Sequence, residues 1–296
     1  MSASQQRPFT AAPEPIHRLK GHGGVTLAAD TWGEPGSPLV VLLHGGGQTR
    51  HAWKQTGSTL AARGYYVIAY DARGHGDSDW APDGEYGLDA VVADLQCIIR
   101  HVGGGPAALV GASMGGGTSL VAIGEGRVEA SALILVDVAP RIEHDGVARI
   151  RAFMNQRPGG FDNLDEVADA IAAYQPHRGR PRRLEGLGKN VRLGADGKYH
   201  WHWDPKIASD QSDLEDYRAR LERSAVLISV PCLLVRGGMS DVLTEEGARE
   251  FLALAPGSQY VNVADAAHIG AGDRNDLFGT AIVEFLGRFV LPSGES

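Results

Sequence analysis

Short runs that are apolar at every position recur along the first half of the chain. Such runs are typical of parallel strands buried on both faces. The runs are Leu39–Leu43, Tyr66–Tyr70, Ala107–Val110 and Ala132–Val138. Between the second and third runs, apolar residues from Leu88 to Val102 recur at helical spacing and predict an amphipathic helix. Strands that alternate with helices indicate a mainly parallel sheet covered on both faces.

Similar signals complete the alternation at both ends of the chain. Two strand-like pieces near the beginning, Ile16–Lys20 and Val25–Trp32, predict a first hairpin. The other predicted strands are Cys232–Arg236 and Gln259–Val263. The other predicted helices of this pattern are Ala52–Arg63, Met114–Ile123, Glu245–Leu254 and Leu277–Phe289.

The pattern changes in the middle of the chain. From about Pro140 to Ala225 strands and helices no longer alternate, and charged residues and glycines are frequent. Helices are predicted there only near Leu164–Tyr174 and Leu214–Arg223. We therefore expect residues 139–225 to form a largely helical cap, inserted between a first core part, 1–138, and a second core part, 226–296.

Composition narrows the class of protein. The 296 residues are 43% hydrophobic and 22% charged, which is ordinary for a globular protein with one large core. A net charge of −8 argues against nucleic acid as a partner, because phosphate binding needs a basic face. Apolar runs fall short of the roughly 20 residues of a membrane span, so we expect a cytoplasmic protein without membrane association. Cys97 and Cys232 lie in apolar surroundings and suggest buried thiols rather than a disulfide.

The chemistry centres on Gly111-Ala112-Ser113-Met114-Gly115, where a strand turns into a helix. Small residues two positions before and after the serine let strand and helix approach, and the strained turn presents the hydroxyl above the sheet edge. A serine hydroxyl needs a base to become a nucleophile, and the base needs a carboxylate to orient it. His268 directly follows a predicted strand and is the candidate base.

Two aspartates could supply the carboxylate. Asp241 follows the strand Cys232–Arg236 and precedes His268, which gives the chain order Ser, Asp, His. Asp137 stands at the end of an earlier strand and is the alternative. We expect Asp241 to be the acid.

Four sequence pieces together resemble the α/β-hydrolases. They are Leu43-His44-Gly45-Gly46-Gly47, Asp71-Ala72-Arg73-Gly74-His75-Gly76-Asp77-Ser78, the pentapeptide at Ser113, and the late Asp and His. The resemblance covers essentially the whole chain except the cap. It implies an α/β-hydrolase fold, a mainly parallel doubly wound sheet with an inserted cap. By this resemblance, Gly46 supplies one backbone N–H to an oxyanion hole, with Gly47 close behind.

Met114 supplies the second N–H to the oxyanion hole, from the start of the helix after the serine. Gly47 is also a candidate for substrate contact. Trp201 and Trp203, with other aromatic residues such as Tyr199, Phe153 and Trp53, could line an apolar pocket beneath the cap.

The expected activity is hydrolysis of a small apolar or aromatic carboxylic ester or lactone through an acyl-enzyme, without a cofactor. The chain is also similar to carbon-carbon hydrolases of aromatic ring-cleavage products and to cofactor-free haloperoxidases or perhydrolases. A non-catalytic ligand-binding protein on the same scaffold is a further alternative. His200-Trp201-His202-Trp203-Asp204 has metal-compatible spacing, but it lacks a further ligand cluster, so no metal is predicted. The oligomeric state is left open.

Overall fold

The computed structural model describes residues 13–174, 180, 184–209, 214–267 and 275–291. Its strands, in chain order, are β1 His17–Lys20, β2 Thr26–Trp32, β3 Leu39–Leu43, β4 Tyr66–Tyr70, β5 Ala107–Ala112, β6 Ala130–Val136, β7 Val191–Leu193, β8 Tyr199–Trp201, β9 Cys232–Met239 and β10 Gln259–Ala267.

Helices connect most of these strands. They are α1 Lys54–Ala61, α2 Leu88–His101, α3 Met114–Gly124, α4 His144–Met154, α5 Leu164–Tyr174, α6 Pro205–Ser209, α7 Leu214–Val226, α8 Glu245–Leu254 and α9 Gly279–Phe289. Short 3-10 helices cover His22–Gly24, Arg50–Trp53, Glu185–Lys189 and Asn275–Phe278.

Eight of the described strands form one sheet in the order β1-β2-β4-β3-β5-β6-β9-β10. β2 pairs in antiparallel fashion with both β1 and β4. The other six strands of this sheet, in the order β4-β3-β5-β6-β9-β10, run parallel to one another. The carboxyl ends of the parallel strands therefore meet at one edge, which is where ligand sites form in open α/β sheets.

The two faces of the sheet carry separate apolar clusters. In β3, Leu39, Val41 and Leu43 face one cluster, whereas Val40 and Leu42 face the other. The first cluster contains residues of α2, α3, α7 and α8, and the second contains residues of α1 and α9. Burial on both faces explains why the strands are apolar at successive positions. The predicted doubly wound α/β sheet is confirmed.

The middle of the chain has an apolar cluster of its own, built from α4, α5, α6, β7 and β8. Phe153, Phe161, Trp201 and Trp203 are the aromatic residues buried in it. By contrast, α7 packs with the main core, where Leu221 and Ala225 join the first cluster. The predicted cap division at 139–225 stays a prediction, and α7 is the part of it that packs on the sheet layer.

The two cysteines are free thiols. Cys232 is buried in β9, and burial raises the pKa of its thiol to about 11. Cys97 on α2 is only half-buried, so its predicted full burial is incomplete.

Candidate active site

Ser113 stands at the turn between β5 and α3. Its φ of 46° and ψ of −115° lie in a region that a residue with a side chain adopts only where the surrounding structure holds it. The Ser113 N–H donates to the Val136 carbonyl of β6 at 3.0 Å, which ties the turn to the neighbouring strand. Ser113 is partly exposed, so its hydroxyl is presented at the carboxyl edge of the sheet.

Glycines let the backbones around this turn come into contact. A Cβ added to Gly111 would lie 2.5 Å from the Gly116 Cα, and a Cβ added to Gly115 would lie 2.6 Å from the Leu43 carbonyl oxygen. Real Cβ atoms do not tolerate such distances, so β3, β5 and α3 can approach this closely only without side chains at these positions. This packing supports the strained serine conformation.

The loop after β3 passes directly beside the serine. A Cβ on Gly45 would lie 3.3 Å from the Ser113 Cβ, whereas a Cβ on Gly46 would meet no atom within 4 Å. Neither the Gly46 N–H nor the Met114 N–H has a hydrogen-bond acceptor among the described residues. Met114 opens α3, where the first N–H groups lack an intrahelical acceptor. The predicted oxyanion donors are thus on the two segments that adjoin Ser113, and their role stays a prediction.

Gly47 differs from Gly46 because both of its backbone groups are bonded inside the protein. Its N–H donates to Nε2 of His75 at 3.1 Å, and its carbonyl accepts from Nε2 of His202 at 3.2 Å. These bonds favour Gly46 over Gly47 as the second donor. They also leave the predicted substrate contact of Gly47 without support from its backbone.

Three buried histidines surround this loop, and their partners fix the tautomer of each ring. Nδ1 of His44 donates to the Gly45 carbonyl at 2.8 Å, and its Nε2 accepts from the Ala72 N–H at 2.9 Å. Nδ1 of His75 lies 3.2 Å from the Arg73 carbonyl, and Nδ1 of His202 accepts from the Gly76 N–H at 2.8 Å. A carbonyl can only accept and an amide N–H can only donate, so each ring is neutral with its proton on a defined nitrogen.

Burial holds these three rings in the neutral form. Loss of hydration lowers the pKa of His44 to about 4 and the pKa of His75 to about 3. The pKa of His202 lies well below its ordinary value, first because of burial and then because His75 and Arg192 are near. The three rings therefore stay uncharged at neutral pH.

The two candidate acids have different partners. The Asp241 carboxylate, after β9, lies 2.5 Å from Nη1 of Arg149 on α4, and its side chain is 38% exposed. Asp137, after β6, is fully buried and adopts a φ of 55°. Its carboxylate accepts from the Gly237 N–H at 2.9 Å and from the Ser240 hydroxyl at 2.7 Å. Asp137 thus holds the ends of β6 and β9 together, whereas Asp241 is bonded to a surface arginine.

The candidate base, His268, lies outside the described residues. The described chain reaches β10, which ends at Ala267 beside β9 in the parallel sheet. The assignment of His268 as base stays a prediction.

Trp201 and Trp203 pack against each other in the apolar cluster of the middle segment. Their rings are stacked at a centroid distance of 4.8 Å, and Trp203 Nε1 donates to the Met154 carbonyl at 3.1 Å. Trp201 is 8% exposed and Trp203 is 1% exposed. This packing accounts for both residues as members of that apolar cluster, and their contact with substrate stays a prediction.

Buried arginines brace the turn that follows β4. Arg50 is fully buried and bonds Asp71 at 2.6 Å and Asp77 at 2.8 Å through Nη1. Arg73 bonds the Asp94 carboxylate through two nitrogens, at 2.7 and 2.8 Å. This network explains why the turn is rich in Asp, Arg and Gly. Arg50 was not predicted to belong to this network, because it lies 21 and 27 positions away from Asp71 and Asp77 in the sequence.

His200 and His202 do not share a ligand. β8 ends at Trp201, and Nε2 of His200 lies 2.9 Å from the Asp196 carboxylate at the surface, whereas His202 bonds the core. Among the described residues, no group of three or more His, Cys, Asp or Glu side chains could hold a metal ion. None of the described helices is both long enough and apolar enough for a membrane crossing.

The sheet order and the serine turn agree with comparisons to known proteins. Residues 38–274 match the model of the alpha/beta hydrolase fold family. The chain therefore belongs to the α/β-hydrolase fold family, and the recognition made from its four sequence pieces is confirmed.

Several relatives resemble the chain over most of its length. It is 29% identical to the 3-hydroxybutyrate-oligomer hydrolase of Cupriavidus necator, a match that covers 90% of this chain and 93% of that protein. It is also 29% identical to esterase Rv0045c of Mycobacterium tuberculosis, over 76% of this chain and 74% of the relative. The crystal structure of the enol-lactonase from Burkholderia xenovorans superposes with a TM-score of 0.68 at 26% identity, covering 90% of this chain and 98% of that one.

Proposed function

We propose that this chain is a serine hydrolase that cleaves a carboxylic ester or lactone through an acyl-enzyme on Ser113. The observation that carries the proposal is the strained serine at the β5–α3 turn, with Gly45, the residue before Gly46, and the N-terminus of α3 beside it. A nucleophile and hydrogen-bond donors at one point are what acyl transfer requires.

In the acylation step, the Ser113 oxygen attacks the substrate carbonyl carbon while His268 takes the hydroxyl proton. Asp241 stabilises the imidazolium. The carbonyl electron pair moves to oxygen, and the N–H groups of Gly46 and Met114 stabilise that oxyanion. The tetrahedral intermediate collapses when the bond to the alkoxy oxygen breaks and His268 returns the proton to that oxygen.

Deacylation repeats these steps with water as the nucleophile. His268 removes a proton from water, the resulting oxyanion uses the same two N–H groups, and Ser113 leaves with the proton that His268 returns. A lactone differs only in that its alcohol stays attached to the acyl group. This mechanism uses no cofactor.

The names of the relatives support ester or lactone bonds as the target, because an esterase, a 3-hydroxybutyrate-oligomer hydrolase and an enol-lactonase are among them. The carbon-carbon hydrolase and perhydrolase alternatives would use the same three side chains. No feature of the described residues favours either of them over ester hydrolysis.

Labelling with a fluorophosphonate probe tests the nucleophile. The probe phosphorus accepts the serine oxygen and releases fluoride, so a mass increase on the peptide that contains Ser113 is expected after digestion. Ser113→Ala should abolish the label and the turnover of p-nitrophenyl esters, with residual rates at least about 10³-fold lower.

Ser119→Ala is the matched control for this test, because Ser119 is buried in α3 and donates to the Gly115 carbonyl. It should retain the label. An unlabelled Ser113 in the folded wild type would refute the mechanism. A panel of esters, lactones and a vinylogous diketone then separates the bond types.

A further inference from the structure

A loop of three consecutive glycines carries the proposed oxyanion donor, and such a loop can rotate its peptide groups at little cost. The Gly46 N–H belongs to the Gly45–Gly46 peptide, whose carbonyl accepts from His44 at 2.8 Å and from the Gln48 N–H at 3.1 Å. Because a trans peptide points its N–H away from its carbonyl, these bonds orient the Gly46 N–H. The Gln48 N–H belongs to the same peptide as the Gly47 carbonyl, which is bonded to His202, so His202 acts on the Gly46 N–H through this peptide.

The next two peptides are held by other histidines. The Gly47 N–H is bonded to His75, and the Gly47 carbonyl is bonded to His202 at 3.2 Å. Gly47 adopts a φ of 71°, which a rotation of the Gly46–Gly47 peptide would change. Each of the three peptides between Gly45 and Gln48 is therefore held by one ring nitrogen, from His44, His75 or His202. We call these three rings the histidine clamp.

His202 is the member of this clamp that comes from the middle segment of the chain, just after β8. His202 is 1% exposed, and its Nδ1 accepts from the Gly76 N–H. Nearby, the Asp204 N–H donates to the Gly74 carbonyl at 2.8 Å, and the Asp204 carboxylate accepts from the Tyr86 hydroxyl at 2.5 Å. These bonds attach the segment that follows the β7–β8 hairpin to the turn after β4.

We propose that His202 is a positioning residue for the oxyanion hole: through its Nε2–H bond to the Gly47 carbonyl, the cap holds the glycine loop with the Gly46 N–H facing the reacting carbonyl. This inference rests on the proposed function. It makes the middle segment of the chain part of the catalytic geometry.

Two variants separate the two hydrogen bonds of His202. His202→Gln places an amide nitrogen near the Nε2 position and keeps the donor to Gly47. His202→Asn places an amide oxygen near the Nδ1 position and keeps only the acceptor for Gly76. His200→Gln, two residues earlier at the surface, is the matched control.

We expect His202→Asn to lower kcat for a p-nitrophenyl ester by about tenfold or more, with KM within about twofold, because a misdirected donor weakens the transition state alone. The Ki of a trifluoromethyl ketone, whose adduct with Ser113 carries an oxyanion, should rise by a similar factor. His202→Gln should restore most of kcat, and His200→Gln should match the wild type.

A purely structural role predicts a different result: a lower melting temperature in both variants, with kcat per fluorophosphonate-labelled site unchanged. That result would overturn the proposal, as would equal losses of kcat in His202→Gln and His202→Asn. Wild-type protein that folds but takes no fluorophosphonate label would instead count against the proposed function.

Should His202→Asn fail to fold, the wild type provides the test. With ¹⁵N-labelled histidine, binding of the trifluoromethyl ketone should shift the Nε2–H resonance of His202 and leave His200 unchanged. An unmoved His202 resonance in the inhibited enzyme would overturn the proposal.

Discussion

The two aspartates at the ends of β6 and β9 illustrate how side-chain partners separate residues that look alike in sequence. Asp137 uses its carboxylate to receive the Gly237 N–H and the Ser240 hydroxyl inside the sheet edge. Asp241 faces Arg149 at the surface, and an ion pair with an exposed arginine exchanges easily with other partners. Asp241 stays the predicted triad acid, with Asp137, the more deeply buried of the two carboxylates, as the alternative.

We predict that Asp241→Asn lowers kcat/KM by about 10³- to 10⁴-fold, because an amide no longer stabilises the imidazolium. Asp137→Asn should keep most of the activity, since an amide oxygen can still accept from the Gly237 N–H, and should lower the melting temperature. Steady-state kinetics and thermal unfolding of both variants check this. Asp145→Asn, an exposed position on α4, is the control and should behave as wild type.

The reverse pattern, inactivation by Asp137→Asn with activity kept in Asp241→Asn, would transfer the role to Asp137. Sequence alone left both residues open because each follows an apolar strand. The partners that distinguish them lie about a hundred positions away along the chain, as between Asp137 and Gly237.

At the scale of the element, the contact between α3 and the sheet depends on positions without a side chain. A Cβ at Gly115 would lie 2.6 Å from both the Leu43 Cβ and the Leu43 carbonyl oxygen. Neither strand nor helix backbone can yield locally, so an added methyl group must push α3 away from β3. That movement carries the Met114 N–H with it.

Gly115→Ala is therefore predicted to lower the free energy of unfolding by about 1–3 kcal/mol and to reduce kcat more than KM. Gly287→Ala is the matched control, because Gly287 lies in α9 with no atom within 4 Å of an added Cβ. There the same change should stabilise the protein by about 0.5–1 kcal/mol. Urea unfolding and ester kinetics measure both effects. A Gly115→Ala protein as stable and active as wild type would contradict the close approach.

Most of the sheet and its helices could be predicted, because a strand buried on both faces is apolar at each position and an amphipathic helix repeats every three to four residues. β3, β4, α5 and α8 have their predicted bounds. The helix α4 and the hairpin of β7 and β8 were missed. Their packing depends on partners distant in sequence, such as Phe153 and Trp201 with centroids 5.2 Å apart, and no local period records that.

The candidate site also has one part that local sequence predicts and another that it does not. Local sequence predicted the turn at Ser113, since its steric requirements lie within five residues. The histidine clamp was missed because each bond joins distant segments: His202 reaches Gly47 across 155 positions. Histidine identity alone did not separate His202 from the exposed His200.

For the whole molecule, burial of neutral histidines where the middle segment meets the loops after β3 and β4 makes stability depend on pH. His44, His75 and His202 have lowered pKa values in the folded state, with burial as the largest cause. The charged groups that face them are Arg50 beside His44, Asp71 beside His75 and Arg192 beside His202. In the unfolded chain each ring titrates near 6.5.

The direction of this pH dependence follows from proton binding. As the pH falls from about 6.5 towards 4, the unfolded chain binds protons that the folded rings refuse, so acid favours unfolding. The contribution of these histidines to the free energy of unfolding is fully present above the unfolded pKa of about 6.5. It is lost as the pH falls through this window, by up to about 1.4 kcal/mol per pH unit for each histidine. We predict that the free energy of unfolding, measured in urea, drops steeply between pH 6.5 and 5.

His202→Gln tests this dependence of stability on pH. It removes one of the three histidines that bind a proton only in the unfolded chain, and it leaves the carboxylates, which also titrate in acid, unchanged. The free energy of unfolding of this variant should fall less steeply with decreasing pH than that of the wild type, by an amount that corresponds to about one bound proton. His200→Gln removes an exposed imidazole paired with Asp196 and should leave the steep slope in place. Equal slopes in wild type and His202→Gln would mean that His202 takes up its proton within the folded protein, which its partners, the Gly76 N–H and the Gly47 carbonyl, do not accommodate.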